Sequence, residues 1–355
     1  MSRILVDAHL DLAYSALIVG RDLRSPVEDI RARERVTLSG SLDNGTCLVS
    51  IPELLKGNIA IAFGSIFVPP SVSPEASLSM VYHDAEEAHT YGVAQLDYYR
   101  RLIDDGAPLC LLQTLKDLEM VLASWETSQP RLGVFVVMEG AEPIKQPDDL
   151  GWWAERGLRG LGLSWSAGTS YAGGNAAPGP LTDKGRRLLR RMADYNLLLD
   201  LSHLWPDAVY EALDCYPGPV AASHANPRAF VDSPRLLSDD LLKRIASRDG
   251  VVGIIPFNQM LEQGWKKGDP RLPLQRVVEA IDYVCQCVGS ADYVGLGSDF
   301  DGGFGLASVP EEINTVADLV KIADLLGERG YCEADIDAIL SCNWLRILRR
   351  VLEAF

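Results

Sequence analysis

Histidine and carboxylate side chains follow several short apolar segments of this chain, beginning near its first residues. His9 and Asp11 come just after the apolar run Ile4-Leu5-Val6, which has the length and composition of a buried parallel strand. Because the two side chains are two positions apart, they point to the same side of an extended backbone. An imidazole and a carboxylate aimed together form half of a divalent-metal site, and a surface turn is the alternative.

The histidines of the chain are concentrated at such segment ends. Of the five histidines, His9, His203 and His224 each follow a strand-like run. The other two, His83 and His89, fall on one predicted helix at a spacing that does not share a face, so we assign them structural roles. Three imidazoles at strand ends predict a common site rather than three isolated polar contacts.

Carboxylates complete this set of ligands. Glu139 ends the apolar run 134–138, and Asp299 follows the run 294–298. A carboxylate beside so apolar a strand is costly to bury unless a cation or a hydrogen-bond donor meets it. Histidine and carboxylate ligands without cysteine favour Zn²⁺ or a similar first-row ion. Three imidazoles and two or three carboxylates exceed the needs of one tetrahedral zinc, so two ions bridged by a carboxylate fit better.

Short strand-like runs alternate with helical patterns along the whole chain. About eight such alternations, with nearly continuously apolar strands, predict a single (β/α)₈ TIM barrel over residues 1–355. A doubly wound open sheet is the alternative, but no Gly-x-Gly-x-x-Gly turn follows the first strand. The predicted strands are Ile4–Ala8, Thr46–Ile51 or Ala60–Phe67, Gly133–Met138, Gly160–Ser164, Leu197–Leu201, Val220–Ser223, Val251–Pro256 and Tyr293–Ser298.

The loops that follow the strands of such a barrel carry its function. Three of them are long and rich in glycine or proline, namely Pro69–Ala76, Ala167–Pro180 and Asn258–Pro273. We interpret them as a lid over the barrel mouth, with ordinary surface loops as the alternative.

The composition excludes some classes of partner. The net charge of the 355 residues is −16, so the chain should repel nucleic acid and anionic membranes. No apolar run reaches the length of a membrane span, and Met1-Ser2-Arg3 leads into a strand without a signal peptide. Seven scattered cysteines are typical of reduced thiols. We therefore expect a cytoplasmic protein that binds neither nucleic acid nor membrane.

The candidate residues lie in short motifs that follow one another over nearly the whole chain. These are Asp7-Ala8-His9-Leu10-Asp11, Met138-Glu139-Gly140, Asp200-Leu201-Ser202-His203, Ser223-His224-Ala225-Asn226 and Gly297-Ser298-Asp299-Phe300-Asp301-Gly302. No single motif is specific, but the ordered set resembles the membrane (renal) dipeptidase family of the amidohydrolase superfamily.

The resemblance implies a ligand role for each strand-end residue. His9 and Asp11 would hold one zinc ion, His203 and His224 a second, and Glu139 would bridge the two. The implied reaction is hydrolysis of the peptide bond of small dipeptides, including those with a D-residue at the carboxyl end, through a metal-bridging hydroxide. The resemblance also implies a homodimer.

Three further residues receive substrate or proton roles from the same resemblance. Asp299 is the implied proton shuttle, which takes a proton from the attacking water and gives it to the leaving amine. Arg235 matches the arginine that meets the carboxylate end of the dipeptide. Arg228 is closer to His224 along the chain and competes for that role.

The chain departs from the family pattern near the site. Trp165 stands where the family often has a histidine that holds the tetrahedral intermediate, and it either binds substrate or simply packs at the barrel mouth. Glu142 adds a carboxylate close to Glu139, and Phe257 replaces an expected aromatic hydroxyl. Two alternatives to a dipeptidase therefore stay open: hydrolysis of another small amide or cyclic amide, and a metal-binding protein without turnover.

Overall fold

Eight parallel strands form the closed barrel that the sequence predicts. The structure, a computed structural model, describes residues 3–37, 46–72 and 80–355. Its strands are β1 (Leu5–Leu10), β2 (Ile59–Phe67), β3 (Leu109–Leu111), β4 (Leu132–Glu139), β5 (Leu158–Gly162), β6 (Ala172–Gly174), β7 (Ala177–Leu181), β8 (Leu198–Asp200), β9 (Val220–Ala222), β10 (Val251–Ile254) and β11 (Val294–Leu296).

Pairing between β2 and β4 closes the ring. The barrel strands run in the order β1, β2, β4, β5, β8, β9, β10 and β11, and β11 pairs with β1 again. β2 and β4 are in register from Ile61 opposite Gly133 to Phe67 opposite Glu139. The doubly wound alternative is therefore wrong, because a barrel of this kind has no open edge.

Fourteen helices of the described residues accompany the strands. They are α1 (Leu12–Leu17), α2 (Val27–Thr37), α3 (Ile51–Lys56), α4 (Ala85–Asp104), α5 (Leu115–Ser124), α6 (Leu150–Glu155), α7 (Asp183–Asp194), α8 (Pro206–Cys215), α9 (Asp239–Ser247), α10 (Asn258–Leu261), α11 (Gln275–Val288), α12 (Lys321–Glu328), α13 (Glu333–Asp337) and α14 (Asn343–Leu352). Among them, none has the length and apolar character that crossing a bilayer requires.

Of the two segments predicted as the second strand, Thr46–Ile51 is wrong. Residues 46–50 lack regular structure and Ile51 begins α3, whereas β2 is the strand. The backbone N–H groups of Leu48 and Val49 donate to the carboxylate of Asp301 instead of to a neighbouring strand. The apolar character of this segment reflects burial beside the barrel rather than membership of it.

The three predicted loops have different outcomes. Residues 167–180 contain β6 and all but the last residue of β7, an antiparallel hairpin that the glycine and proline content of that segment had concealed. Residues 258–273 begin with α10. The loop 69–76 lies outside the described residues from position 73 onward.

Burial of the barrel strands explains why their sequences are apolar without alternation. Every residue of β1 and of β2 is buried. Trp344 of α14 packs its ring on Phe63 at 5.2 Å between centroids and donates from Nε1 to the Leu296 carbonyl at 3.0 Å. Because all barrel strands are parallel, the residues that end β1, β4, β8, β9 and β11 gather at one rim.

Candidate metal centre and substrate cavity

The five predicted metal ligands lie together at the carboxyl-terminal rim of the barrel. Nε2 of His203 lies 3.0 Å from Glu139 Oε1, and Nε2 of His224 lies 3.4 Å from the same oxygen. On the other side, Nε2 of His9 lies 3.5 Å from Glu139 Oε2 and 3.6 Å from Asp11 Oδ1. Glu139 therefore stands between two groups of ligand atoms.

Three sets of side chains have ligand atoms near enough to share a cation. Within each set these atoms lie within 4.8 Å of one another. The sets are His9, Asp11 and Glu139; Glu139, His203 and His224; and His9, His224 and Asp299. The first two sets meet at Glu139, which turns one oxygen toward each of them.

Hydrogen bonds behind two of the imidazoles decide which nitrogen faces the central carboxylate. The Ser223 hydroxyl donates to Asp200, so its oxygen accepts from His224 Nδ1 at 2.7 Å. His203 Nδ1 donates to Asn175 Oδ1 at 3.0 Å. Both histidines therefore carry their proton on Nδ1 and present a lone pair on Nε2.

The resulting arrangement sets hydrogen-bond acceptors against one another. The Nε2 atoms of His203 and His224 lie 3.0 Å apart, and both face an oxygen of Glu139. Nε2 of His9 is buried without a hydrogen-bond partner in the described part of the chain. Acceptors this close repel one another unless a cation lies among them. The residues fit zinc, because neutral imidazole and carboxylate oxygen are its preferred ligands here.

Burial and neighbouring charges favour the protonation states that metal ligands need in His203, His224 and Glu139, but not in His9. Burial lowers the pKa of His9, but the carboxylates of Glu139 and Asp11 outweigh it and hold that pKa well above its usual range, so a metal ion would displace a proton there. Burial, together with Arg235, lowers the pKa of His203 to about 4. Burial also holds the pKa of His224 well below its usual range. Burial opposes ionisation of Glu139, but His9 and the other two imidazoles outweigh it and hold its pKa well below the usual range. Neutral imidazoles and an ionised carboxylate are the forms that bind metal.

Asp299 lies beside the same cluster, on the segment after β11. Its φ is 55° and that of Asp301 is 68°, so the chain turns through left-handed conformations. A Cβ atom at Gly302 would lie 2.1 Å from Asp299 Oδ1, so glycine is needed there to leave room for the carboxylate. Burial and the carboxylates of Asp11 and Glu139 raise the pKa of Asp299 well above its usual range, despite the opposing effect of nearby imidazole.

A second buried charge cluster anchors the segment after β11. The Asp301 carboxylate accepts from the N–H groups of Leu48 and Val49 at 3.0 and 2.9 Å and lies 3.2 Å from Arg21 Nη1. Nε of Arg21 donates to Glu34 at 2.6 Å. Because Asp301, Arg21 and Glu34 are all buried, these contacts fix the segment against α2 and the residues that precede it.

A cavity of about 280 Å³ opens onto the ligand cluster. Tyr14, Phe67 and Trp165 form one aromatic wall, with 5.1 Å between the ring centroids of Phe67 and Trp165. Phe257 and Phe304 stack at 4.2 Å and form another wall. A charged floor between aromatic walls suits a small polar molecule that carries apolar side chains.

The structure separates the two arginines that competed for the substrate carboxylate. Arg235 lines the cavity, and its Nη2 donates to the His224 carbonyl at 2.9 Å and lies 3.1 Å from His203 Nε2. Nε and Nη1 of Arg235 are buried without a hydrogen-bond partner among the described residues. Arg228 donates from Nε to the Ser233 carbonyl at 3.0 Å and does not line the cavity. Nη2 of Arg228 is likewise buried without a partner among these residues, so the difference between the two arginines is that Arg235 reaches the cavity.

The other sequence departures have different positions. Trp165 lines the cavity, with its ring centroid 6.1 Å from that of His203. The Glu142 carboxylate accepts from the N–H of Ser170 at 2.8 Å and does not line the cavity, so it adds no charge there. His83 pairs with Glu87, and His89 contacts the Pro143 carbonyl, consistent with structural roles.

Several residues that shape the site were not predicted. Asn175, from the hairpin segment, accepts from His203. Asp200 accepts from Ser223 and so orients His224, a role that was not predicted although Asp200 and Ser223 lie within the sequence motifs. Ser65 of β2 donates to Asp11, and Asp7 accepts from Ser298 at 2.7 and 2.6 Å. The polar residues next to each ligand were the available signal, since ligands of buried metals need partners behind them.

Replacing Ser223 by alanine should weaken zinc binding by about 10–100-fold, as is typical when an outer partner of a metal ligand is lost. The hydroxyl links Asp200 to His224 Nδ1, so without it the imidazole loses its fixed orientation. Zinc affinity measured by competition with a chelator tests this, with Ser247→Ala on the surface as the control. Unchanged affinity in Ser223→Ala would show that this link does not orient the ligand.

Comparison with known proteins identifies the family. The family model for membrane dipeptidase, peptidase family M19, matches residues 1–354. The chain belongs to the membrane dipeptidase family. The family is one of metallopeptidases, which are hydrolases, and the barrel and the candidate metal-binding groups of this chain agree with that.

Individual relatives extend over most of the chain. An uncharacterized dipeptidase of Schizosaccharomyces pombe is 27% identical over 352 residues, covering 96% of this chain and 82% of the relative. An uncharacterized protein of Klebsiella pneumoniae is 32% identical over 212 residues, covering 57% and 76%. The crystal structure of a metallopeptidase from Rhodobacter sphaeroides, liganded with a phosphinate mimic of the dipeptide L-Ala-D-Ala, superimposes with a TM-score of 0.79 at 25% identity, covering 99% of this chain and 100% of the other.

Proposed function

We propose that this member of the family is a binuclear zinc dipeptidase that hydrolyses the peptide bond of small dipeptides. The observation that carries the proposal is the position of Glu139, whose two oxygens face different groups of ligand atoms. His9 and Asp11 would hold one zinc ion and His203 and His224 the other, with Glu139 as the bridge.

The work of the reaction divides between the ions and the side chains. When bound, two zinc ions supply Lewis acidity that polarises a carbonyl and lowers the pKa of water. Asp299 accepts a proton at a carboxylate oxygen and returns it to the departing amine. Its carboxylate lies within 4.8 Å of the ligand atoms of His9 and His224, near enough to exchange a proton with a water molecule bound there.

Arg235 would bind the carboxylate of the substrate. Its free, buried Nε and Nη1 atoms can form charge-assisted hydrogen bonds to a carboxylate. The aromatic walls would then enclose the side chains of a dipeptide. We include dipeptides with a D-residue at the carboxyl end, because the Rhodobacter sphaeroides relative binds a mimic of L-Ala-D-Ala.

The position of Trp165 in the cavity favours a second candidate function, the hydrolysis of another small amide or cyclic amide. Its indole lines the cavity beside His203 and offers one neutral N–H rather than a cation. A neutral donor stabilises a developing oxyanion less than a charged one. A metal-binding role without turnover would follow from the same weakness.

A panel of L,L- and L,D-dipeptides tested with zinc-loaded protein distinguishes these functions. We expect hydrolysis of several dipeptides, and loss of hydrolysis in His224→Ala. Cleavage of cyclic amides but not dipeptides would favour the second candidate. Two equivalents of zinc without turnover on any substrate would overturn the enzymatic proposal.

The domain organisation, the oligomeric state and the cellular location stay predictions. We retain as predictions the single catalytic domain over residues 1–355, the cytoplasmic location, the homodimer, and the absence of nucleic-acid and membrane partners. Size-exclusion chromatography with light scattering tests the homodimer.

A further inference from the structure

A second cavity lies next to the substrate cavity and shares a wall with it. Its volume is about 440 Å³, and the shared wall consists of Asn175, Arg235, Phe257 and Met260. The Arg235 side chain therefore borders both spaces. We call this second cavity the side chamber.

The side chamber is unusual in its charge. The chain carries 49 acidic and 33 basic residues, yet the described residues that line the side chamber include Arg235 and Lys266 and no carboxylate. The Lys266 side chain has no ion pair with any described residue. Its backbone N–H donates to the Asp269 carboxylate at 2.8 Å, and its carbonyl accepts from the Asp269 N–H at 2.9 Å. A pocket lined by cations in an acidic protein attracts an anionic group.

The neighbouring carboxylates, including that of Asp269, do not line the side chamber. Glu262 precedes the chamber-lining Gln263 and is paired with Arg276 at 2.7 Å. The side-chain oxygen of Gln263 accepts from the Asp232 N–H at 2.8 Å, so the amide NH₂ of Gln263 is left as a donor. The polar groups that reach the side chamber are thus donors rather than anions.

The apolar part of the side chamber suits a short aliphatic stem. Trp265 is buried, and its Nε1 donates to the Pro270 carbonyl at 2.9 Å, which fixes the indole as a rigid wall. Phe257, which lines both cavities, is held by its stack on Phe304. A flexible methylene chain that ends in a carboxylate would bury its stem here and reach the cations.

We propose that the side chamber selects dipeptides whose carboxyl-terminal residue is acidic, through Lys266. The inference rests on the proposed dipeptidase function and on the α-carboxylate being bound by Arg235. A substrate whose α-carboxylate is bound by Arg235 has its carboxyl-terminal residue at the shared wall. The side chain of that residue is then the part of the substrate that enters the side chamber. Glutamate carries a carboxylate on a stem of suitable kind, whereas glutamine has the same shape without the charge.

Paired substrates test the charge preference directly. For zinc-loaded protein, kcat/KM on Ala-Glu should exceed that on Ala-Gln by about three- to tenfold, in the L,L or L,D series that is cleaved, as expected of a partly exposed ion pair. Lys266→Met should abolish this ratio by lowering kcat/KM on Ala-Glu. The surface variant Lys243→Met should keep the ratio, and Lys266→Glu should shift preference toward Ala-Lys.

The outcomes separate this inference from the proposed function. An equal Glu-to-Gln ratio in wild type and Lys266→Met would overturn the acidic preference even if dipeptides are cleaved. If no dipeptide is cleaved, calorimetric binding of free glutamate against glutamine decides. Glutamate binding that Lys266→Met weakens supports the side chamber while the dipeptidase proposal fails, and equal binding of both amino acids overturns the side chamber as well.

Discussion

Replacing Asp299 by asparagine is expected to lower kcat on a dipeptide by about 10²–10⁴-fold, the range of general acid–base catalysis, while zinc content stays unchanged. The amide has nearly the same shape as the carboxylate but neither accepts nor donates the proton that the reaction transfers. Asparagine also fits the space that Gly302 leaves beside the carboxylate, so the fold of the turn should not change. Steady-state kinetics beside metal analysis measures both effects.

Asp299 also lies close enough to His9 and His224 to contribute a ligand, and the same experiment distinguishes that role. If Asp299→Asn loses zinc in parallel with activity, Asp299 is a ligand and not a proton shuttle. If the variant keeps full activity, Asp299 takes no part in the reaction. Asp207→Asn, at the start of α8, is the control for an aspartate outside the cavity.

Replacing Glu139 by glutamine is expected to remove the second zinc ion and to abolish turnover. Glu139 is the carboxylate that both ligand groups share, so its neutral isostere weakens both sites at once. The loss of zinc affinity should exceed the ~10–100-fold typical of an outer partner. Zinc stoichiometry and steady-state kinetics measure these effects.

Glu142 provides the matched control for this variant. It lies three positions further along the chain, but its carboxylate binds the Ser170 N–H and not the ligand cluster. Glu142→Gln should keep two zinc equivalents and near-normal turnover. If Glu139→Gln retains both zinc ions with normal activity, Glu139 is not the bridge.

The barrel and its candidate metal ligands were accessible from the sequence because both depend on local patterns. Apolar strands without alternation predict strands buried on both faces, and the ends of parallel strands meet at one rim. His9, Glu139 and His224 could therefore be placed together from their positions at strand ends. The rejected strand at 46–51 shows the limit, because its apolar residues are buried for a different reason, beside the Asp301 carboxylate.

The parts that sequence did not predict depend on contacts between distant segments. Asn175 reaches His203 from a glycine-rich hairpin that has no strand-like pattern. The separation of Arg235 from Arg228 depends on where each guanidinium points, which spacing along the chain does not determine. The side chamber likewise has Lys266 and Arg235 in one lining, across a chain separation that carries no periodic signal.

The central claim is that five side chains hold two cations at one rim of the barrel. Crystals of zinc-loaded protein measured at the zinc absorption edge test it most directly. We predict two anomalous peaks about 3.5–4 Å apart, the spacing of two-metal sites, with Glu139 between them. A single peak, or peaks that do not contact His9, Asp11, Glu139, His203 and His224, would contradict the account.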